Sequence, residues 1–449
     1  MTTAIERLTD LADDPHRFDH SAAELRDVQI AALDERFRER RERIGLLKHR
    51  ADEADVTEVA RLEDAAALLF PHSVYKSYPE SFLTEHRWDR LGKWLGTLTS
   101  RPIAPMETSD IAGIDLWIER LRDAGHYVSC SSGTTGKPAM LLASGADMDW
   151  SRRDTVNLFA WGSGVQPARD RRMMGLGMTA MVPKNIIIGV AQQEAYGDPG
   201  KERFRLPISP LTVEAMTGQV RLRRKITDGT ALPEELAAYE QISAQRQEEL
   251  DRALVAGADA MIEHRSEKLY VSGMWNILYQ VAALVRKRGF GAADFHPDNC
   301  IYVGGGLKRA QLPSDYREFV YETFNIPSGR EFQNYSMQEL NSGMPKCRAG
   351  NRYHVPPWVV PFVLDDAGET LLSDGTGEVE GRAAFFDLSL DGRWGGIITG
   401  DRIVVDFRPC ACGNKGASIA DSIVRYADIA GDDKIGCAGT ADAYVRGLA

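Results

Sequence analysis

The sequence is organised around one octet, Ser131-Ser132-Gly133-Thr134-Thr135-Gly136-Lys137-Pro138. It separates two apolar runs, 127–130 and 139–142, of which the first has the composition of a short strand. The glycines let backbone N–H groups point into one concavity, the hydroxyls add donors, and Lys137 supplies a positive charge. These groups suit a chain of phosphates, so the octet predicts a phosphate-binding loop. A polar surface turn is the alternative for a short Ser/Thr/Gly segment.

The octet does not fit the Walker P-loop pattern. Ser131 stands where that pattern has its first glycine, and Pro138 stands where Ser or Thr should follow the lysine. A proline after the lysine also disfavours the helix start that a P-loop requires.

At all eight positions the octet resembles the phosphate loop of the adenylate-forming enzymes, the superfamily of acyl-CoA synthetases, aryl-CoA ligases and peptide-synthetase adenylation domains. The resemblance implies that Ser131, Ser132, Gly133, Thr134, Thr135, Gly136 and Lys137 bind ATP, with catalytic roles for Thr134 and Lys137. It also implies an α/β fold whose large N-terminal domain has two mixed sheets flanked by helices and a small β-barrel-like subdomain.

Composition and charge narrow the classes of function. The chain has 449 residues, 43% of them hydrophobic, and a net charge of −11. Binding to nucleic acid needs a basic face, so nucleic acid is not expected as a partner. We expect no membrane span, because no apolar run approaches the length of one. The N-terminus lacks the charged-then-apolar layout of a signal peptide, which predicts a cytoplasmic protein.

Hydrophobic patterning predicts strands that alternate with helices and hence mainly parallel sheets. Ser21 and Glu24 have capping-box spacing at the start of a helix, and a second helix is predicted over 56–69. The run 185–190 reads as a buried strand or a helix start. The methionines of 173–181 either fill a core or line a pliable acyl pocket.

Two further segments complete a predicted nucleotide site. The strand-like run 301–303 leads into Gly304, Gly305 and Gly306, whose bare backbone can accept a planar group. Downstream, Tyr335 and Glu339 match the family pattern Tyr-Gly-x-Thr/Ser-Glu, although Ser336 and Gln338 depart from it. The resemblance implies that Tyr335 stacks on adenine, that Ser336 lies in the site, and that Glu339 holds Mg²⁺ against the phosphates. Magnesium does prefer one or two carboxylates together with phosphate oxygens.

The third element is Thr399-Gly400-Asp401, which matches the family pattern completely. The resemblance implies that Asp401 binds the two ribose hydroxyls, and a carboxylate that accepts from a vicinal diol is sound chemistry. A hairpin turn with a surface aspartate is the alternative. Arg425 is the nearest candidate for the arginine that the family carries before its hinge.

Four residues suggest a zinc site. Cys410 and Cys412 form a tight pair on a glycine-bearing turn, and Cys347 and His354 lie upstream. Three thiols and one imidazole in two clusters suit a closed, structural Zn²⁺ site. The same order resembles that of phenylacetate-CoA ligase-like and long-chain acyl-protein synthetase-like proteins. The alternative is that the cysteines are small buried apolar residues.

The resemblance predicts an N-terminal domain over 1–425 and a hinge with a truncated remnant of the C-terminal domain over 426–449. We therefore expect ATP-dependent activation of a small-molecule carboxylic acid to an acyl-adenylate. Coenzyme A is a possible co-substrate, and a partner protein or carrier is a possible helper in acyl transfer. The alternatives are an enzyme resembling acyl-protein synthetases, which keeps the acyl group on a side chain, and a non-catalytic ATP-binding subunit derived from a ligase.

Overall fold

The structure is a computed structural model, and it describes residues 2–131, 137–178, 181–305, 311–430, 433 and 435. Its α-helices in chain order are α1 Ala4–Thr9, α2 Ala22–Arg40, α3 Gly45–Glu53, α4 Leu62–Ala67, α5 Ser81–Thr84, α6 Trp88–Gly96, α7 Ile114–Asp123, α8 Gly145–Ser163, α9 Pro183–Tyr196, α10 Val213–Thr227, α11 Pro233–Glu263, α12 Trp275–Lys287, α13 Tyr316–Thr323 and α14 Tyr426–Ala430. Short 3₁₀ helices span Asp10–Asp13, His72–Lys76 and Ala292–Asp294.

The strands in chain order are β1 Phe70–Pro71, β2 Tyr127–Ser131, β3 Ala139–Ala143, β4 Arg172–Leu176, β5 Phe204–Arg205, β6 Leu269–Gly273, β7 Cys300–Val303, β8 Glu331–Tyr335, β9 Met344–Pro345, β10 Arg352–His354, β11 Val359–Leu364, β12 Glu378–Asp387, β13 Gly396–Asp406, β14 Ser418–Ala420 and β15 Val424–Arg425. The chain divides into two compact units. Unit 1 comprises Met1–Ser132, Lys137–Asp154 and Ser336–Ala449, and unit 2 comprises Gly133–Gly136 and Thr155–Tyr335.

Unit 2 contains a parallel sheet with the strand order β5-β4-β6-β7-β8. Helices α11, α12 and α13 contribute to its core, which includes Trp275 and Val281 at 2% and 0% exposure. The alternation of strands and helices predicted from the sequence is confirmed here. Met173 and Met174 are buried in β4, whereas Met178 and Met181 are exposed.

Unit 1 is built on a largely antiparallel sheet with the order β10-β14-β13-β12-β11, so the prediction of mainly parallel sheets is wrong for this unit. Its strands follow one another through short connections without intervening helices, which allows antiparallel pairing. Strand β13 also pairs with β1 in parallel and with β15 in antiparallel orientation. Strands β2 and β3 form an antiparallel pair on either side of the octet. Helix α2 begins with the expected capping box, in which the Ser21 hydroxyl and the Glu24 carboxylate each accept a backbone N–H.

One local expectation needs correction, and one alternative is decided. The helix expected over 56–69 is confined to Leu62–Ala67, and a separate helix, α3, precedes it. Asp55 adopts a φ of 53°, a left-handed conformation that ends the helical path and reverses the chain. Of the two alternatives for 185–190, the helix start is confirmed, because the run lies in α9, which has Pro183 at its first position. Ile186 on this helix is 42% exposed. Within the described residues, no helix combines the length and the apolar character needed to cross a bilayer.

Candidate nucleotide and metal sites

A short stretch of unit 1, residues 70–78, connects three of the predicted site elements, and we call it the 70–78 segment. It starts as β1, in which Phe70 and Pro71 pair with Ile397 and Ile398 of β13, the strand that carries Asp401. It continues as the 3₁₀ helix His72–Lys76, which packs against β3 and β13. It ends at Tyr78, which contacts the end of the octet.

Tyr78 fixes the last two residues of the octet. The Lys137 Nζ donates to the Tyr78 carbonyl oxygen at 2.8 Å and lies 5.4 Å from the centre of the Tyr78 ring. The Tyr78 hydroxyl in turn donates to the Pro138 carbonyl at 2.8 Å, and its ring packs edge-on against Trp94. Lys137 is thus held in place by a hydrogen bond to the buried Tyr78. The other loop residues predicted to bind phosphate, Ser132, Gly133, Thr134, Thr135 and Gly136, lie outside the described residues, and Ser131 is described only by its backbone in β2.

The loop that carries Glu339 is held by buried charged groups. The Arg393 guanidinium, 2% exposed, donates to the carbonyl oxygens of Gln338 and Glu339 at 3.0 and 2.8 Å. The Asp387 carboxylate, fully buried, accepts from the backbone N–H groups of Asn341 and Ser342 at 2.8 and 2.9 Å. The backbone on both sides of the Glu339 side chain is therefore fixed.

Two further carboxylates extend this anchoring. The Asp154 Oδ2 accepts from the Gly343 N–H at 3.1 Å, and the Asp147 Oδ1 accepts from the Asn341 side-chain amide at 2.7 Å. Both aspartates are on α8 and are buried. Because buried polar groups must be hydrogen-bonded, an irregular loop that enters the interior needs such partners.

The Glu339 carboxylate interacts electrostatically with two basic residues of the 70–78 segment. Burial lowers the pKa of Lys76, and the Glu339 carboxylate is the main group that opposes this shift. Burial also lowers the pKa of His72, whose Nε2 lies 3.5 Å from the Asp433 carboxylate. Lys76 also interacts electrostatically with Asp433 and Arg425. Motif reasoning gave no role to His72 or Lys76, because the family patterns that identified the other residues do not include them.

Asp401 is placed by the ladder of β13. Its backbone N–H donates to the Thr399 hydroxyl at 3.1 Å, and that hydroxyl donates to the Ala383 carbonyl at 2.8 Å. Asp401 lies opposite Arg425 of β15, with 3.6 Å between Oδ1 and Nε. A side chain at position 400 would clash with the Asp433 carboxylate, which explains the glycine between Thr399 and Asp401.

The remaining predicted residues of the nucleotide site belong to unit 2, with one exception. Gly304 and Gly305 follow β7, and Tyr335 is the last residue of the adjacent parallel strand β8, so all three occur where strands end at the same edge. Gly305 has a φ of 75°, a conformation that favours glycine. Ligands of parallel sheets bind beyond this edge. Ser336, the exception, is exposed in unit 1, and Gly306 lies outside the described residues.

The four predicted zinc ligands come together in unit 1. One potential ligand atom from each of Cys347, His354, Cys410 and Cys412 lies within 4.8 Å of the others. The Cys347 and Cys410 sulfurs are 3.6 Å apart, and the Cys412 sulfur is 3.3 Å from the His354 Nε2. Gly350 allows this approach, because a side chain there would clash with the Cys410 sulfur.

The thiols of the pair have different acidities. Burial raises the pKa of Cys410 to about 12. Burial also acts to raise the pKa of Cys412, but hydrogen bonds from Asn414 outweigh this effect, and the pKa of this thiol is lowered. The Asn414 side-chain amide donates to the Cys412 sulfur at 3.1 Å. The lowered pKa of Cys412 favours the thiolate, the form that binds a metal.

The α/β fold predicted from the sequence is confirmed. Solved structures of 2-hydroxyisobutyryl-CoA ligase are similar to this chain. Its postadenylation state in complex with R3-HIB-AMP superimposes with a TM-score of 0.56 at 13% identity, covering 92% of this chain and 70% of that one. Its open conformation, in complex with 2-HIB-AMP and CoA, gives a TM-score of 0.55 at 14% identity, covering 92% and 73%.

A third structure of the same ligase, in the thioesterification state with 2-HIB-AMP and CoA, also gives a TM-score of 0.55 at 14% identity. No protein-family model matches the chain, and no curated protein sequence matches it. The relationship is therefore one of fold.

Proposed function

We propose that the chain uses MgATP to activate a carboxylic acid. The acid's carboxylate oxygen attacks the α-phosphorus, the bond to the bridging oxygen breaks, and acyl-adenylate and pyrophosphate are the products. The main support is the 70–78 segment, along which Lys137, Glu339 and Asp401 are gathered although they are far apart in sequence. The similar ligase was captured with R3-HIB-AMP and with 2-HIB-AMP, which supports the proposal.

In this proposal the cations of unit 1 bind the phosphates. Lys137 and Lys76 provide positive charge at the octet and beside Glu339, and such preorganised charge stabilises the negative charge that develops on phosphoryl oxygens. Asp401 accepts from the ribose hydroxyls, with Arg425 beside it.

Glu339 is the proposed ligand for Mg²⁺. Its carboxylate accepts no hydrogen bond from the residues that the structure describes, and it is half-buried on an anchored loop, so its oxygens fit the donor set that magnesium prefers. When bound, Mg²⁺ would neutralise charge on the phosphates.

Coenzyme A is the proposed acyl acceptor. The similar ligase was captured with acyl-adenylate and CoA together, in an open and in a thioesterification state. The alternative is transfer of the acyl group to another acceptor with help from a partner protein. Formation of acyl-CoA by the purified chain alone would favour CoA, whereas accumulation of acyl-adenylate with CoA present would favour a separate acceptor.

The Cys/His cluster is proposed to hold a structural Zn²⁺. Three sulfurs and one imidazole nitrogen form a closed four-ligand set, which fits tetrahedral zinc. The zinc would join the hairpin that leads into β10 to the turn at 410–414, and so stabilise the end of the unit 1 sheet.

Pyrophosphate–ATP exchange across a panel of carboxylic acids tests the activation step. We expect acid-dependent exchange by the wild type and a loss of about 100-fold or more in Glu339→Gln and Asp401→Ala. Glu369→Gln, an exposed carboxylate of the same unit, is the matched control and should retain exchange. If ATP binds but no acid supports exchange, the protein is a nucleotide-binding subunit and not an activating enzyme.

A further inference from the structure

Arg393 links two segments of unit 1 that carry proposed site residues. Its Nη1 donates at 2.8 Å to the carbonyl oxygen of Leu142 in β3, the strand that begins two residues after Lys137. Its Nη2 donates to the carbonyl oxygens of Gln338 and Glu339 at 3.0 and 2.8 Å. One guanidinium therefore connects the strand beside Lys137 to the loop that carries the proposed Mg²⁺ ligand.

The backbone next to Arg393 is fixed to the end of β3. The Asp147 Oδ2 accepts from the Ser144 N–H at 2.7 Å and from the Gly392 N–H at 2.8 Å. The glycine permits this approach, because a Cβ at that position would lie 2.8 Å from the Ser144 nitrogen. Arg393 also forms an isolated antiparallel bridge with Thr99. The side chain of Arg393 thus starts from a fixed point near β3 and spans the distance to the second segment.

A guanidinium is suited to this link, because its donors lie on separate nitrogens in a rigid plane. Arg393 is 2% exposed, so its orientation is set by the surrounding packing. Tyr75, also 2% exposed, interacts electrostatically with both the Arg393 guanidinium and the Glu339 carboxylate. Burial raises the pKa of Tyr75 to about 12, so its hydroxyl stays protonated at neutral pH. The 70–78 segment, which includes Tyr75, therefore meets the same guanidinium.

We propose that Arg393 is a positioning residue that sets the separation between Lys137 and Glu339. It holds the backbone of both segments at once, so that phosphates bound by Lys137 meet a metal ion bound by Glu339. Such placement matters because a misplacement of about 1 Å can cost about 100-fold in rate. The inference rests on the proposed function for the identity of the ligand, MgATP, and not on the adenylation step.

Titration calorimetry of the full chain with ATP, once with Mg²⁺ and once with EDTA, tests this role. Arg393→Lys keeps the charge but has a single nitrogen, which cannot hold both segments. We expect its affinity for ATP to fall about tenfold or more with Mg²⁺ and less than about threefold with EDTA. Metal-free ATP does not use Glu339, and Lys137 keeps its hydrogen bond to Tyr78. A role in stability alone would weaken both by the same factor, and this result or an unchanged affinity with Mg²⁺ would overturn the proposal.

Two further variants accompany Arg393→Lys. Arg171→Lys is the matched control, since Arg171 is 4% exposed in unit 2 and donates to the Asp298 carbonyl. It should bind ATP like the wild type under both conditions. Tyr75→Phe leaves the guanidinium in place and removes the hydroxyl beside it, so we expect a loss of about threefold that is confined to Mg²⁺. If Arg393→Lys does not fold, Tyr75→Phe decides, and equal losses with Mg²⁺ and with EDTA would contradict the positioning role.

A double-variant cycle separates this role from the activity itself. Glu339→Gln should weaken binding with Mg²⁺, and adding Arg393→Lys should weaken it by less than about threefold more, because the residue to be positioned is already lost. Independent effects that multiply would show that Arg393 does not act through Glu339. If the wild type shows the Mg²⁺-specific effects but no pyrophosphate exchange with any acid, the positioning role stands and the activation proposal fails. Exchange by the wild type without these effects would retain activation and remove the role of Arg393.

Discussion

Asp387→Asn is the most informative single change, because it keeps the shape of a buried side chain and removes its charge. The Asp387 Oδ2 accepts from the backbone N–H groups of Asn341 and Ser342. The Oδ1 accepts from the Ser389 N–H at 3.0 Å, the Ser389 hydroxyl at 2.6 Å and the Ser342 hydroxyl at 3.4 Å. An asparagine side chain has only one oxygen, so the donors that now face either Oδ1 or Oδ2 must face an NH₂ group instead.

The two orientations of the new amide are not equivalent. The Ser389 hydroxyl can rotate and accept from an NH₂ group, but a backbone N–H cannot reverse. The Ser342 hydroxyl already accepts from the indole N–H groups of Trp150 and Trp358, so it cannot compensate in the same way. The amide oxygen should therefore replace Oδ2, and the NH₂ group should replace Oδ1, where the Ser389 N–H loses its acceptor. An unsatisfied buried donor costs about 1–3 kcal/mol, and two bonds to a charged acceptor become bonds to a neutral one at roughly 1 kcal/mol each. We expect a net loss of about 2–4 kcal/mol after the relief of removing a buried charge.

Urea unfolding should show this loss, with a lower midpoint and an unchanged slope. Pyrophosphate exchange, measured well below the unfolding transition, should also need more Mg²⁺ for half-maximal rate, because the loop that carries Glu339 is less well fixed. Asp149→Asn, at an exposed aspartate of α8, is the control and should change neither. A destabilised variant with an unchanged Mg²⁺ requirement would refute the positioning role of the anchored loop, and unchanged stability would refute the hydrogen-bond reasoning.

Three further outcomes follow from the sites. Lys76→Met should slow pyrophosphate exchange by about 10- to 100-fold through the loss of a cation near the phosphates, whereas the exposed Lys93→Met should not, and equal rates would remove Lys76 from the site. Burial lowers the pKa of His72, so the unfolded state binds a proton that the folded state excludes, and stability should fall as the pH drops below roughly 6.5. His72→Gln should show a smaller fall in its urea midpoint between pH 7.5 and 5. Cys412→Ser should lose bound zinc in elemental analysis, whereas the buried Cys300→Ser should keep it, and a zinc-free wild type would contradict the metal assignment.

The parts that were predictable from sequence depend on local chemistry. The capping box of Ser21 and Glu24 and the strands around the octet are set by neighbours a few residues away, and a motif records them directly. The Cys/His cluster was also predictable, because three cysteines and a histidine in two pairs are a typical zinc-ligand set. The fold was predictable because the octet resembles the phosphate loop of the adenylate-forming enzymes.

The features that the sequence did not predict depend on contacts between residues that are far apart in the chain. Lys76 gains its position from the pairing of β1 with β13, more than 300 residues away, and no local pattern around Lys76 encodes that pairing. Left-handed Asp55 shows the same limit at short range, since hydrophobic periodicity does not report where a helix must end.

The anchored loop also accounts for the two departures from the family pattern. If side chains at 336 and 338 fixed this loop, Ser336 and Gln338 would be expected to displace Glu339. The contacts instead involve backbone atoms: Arg393 binds the carbonyl oxygens of Gln338 and Glu339, and Asp387 binds the amides that follow. A backbone atom is the same whatever side chain it carries, so these anchors tolerate substitution at 336 and 338. Arg393 and Asp387 themselves cannot vary so freely, because each would leave buried partners unsatisfied.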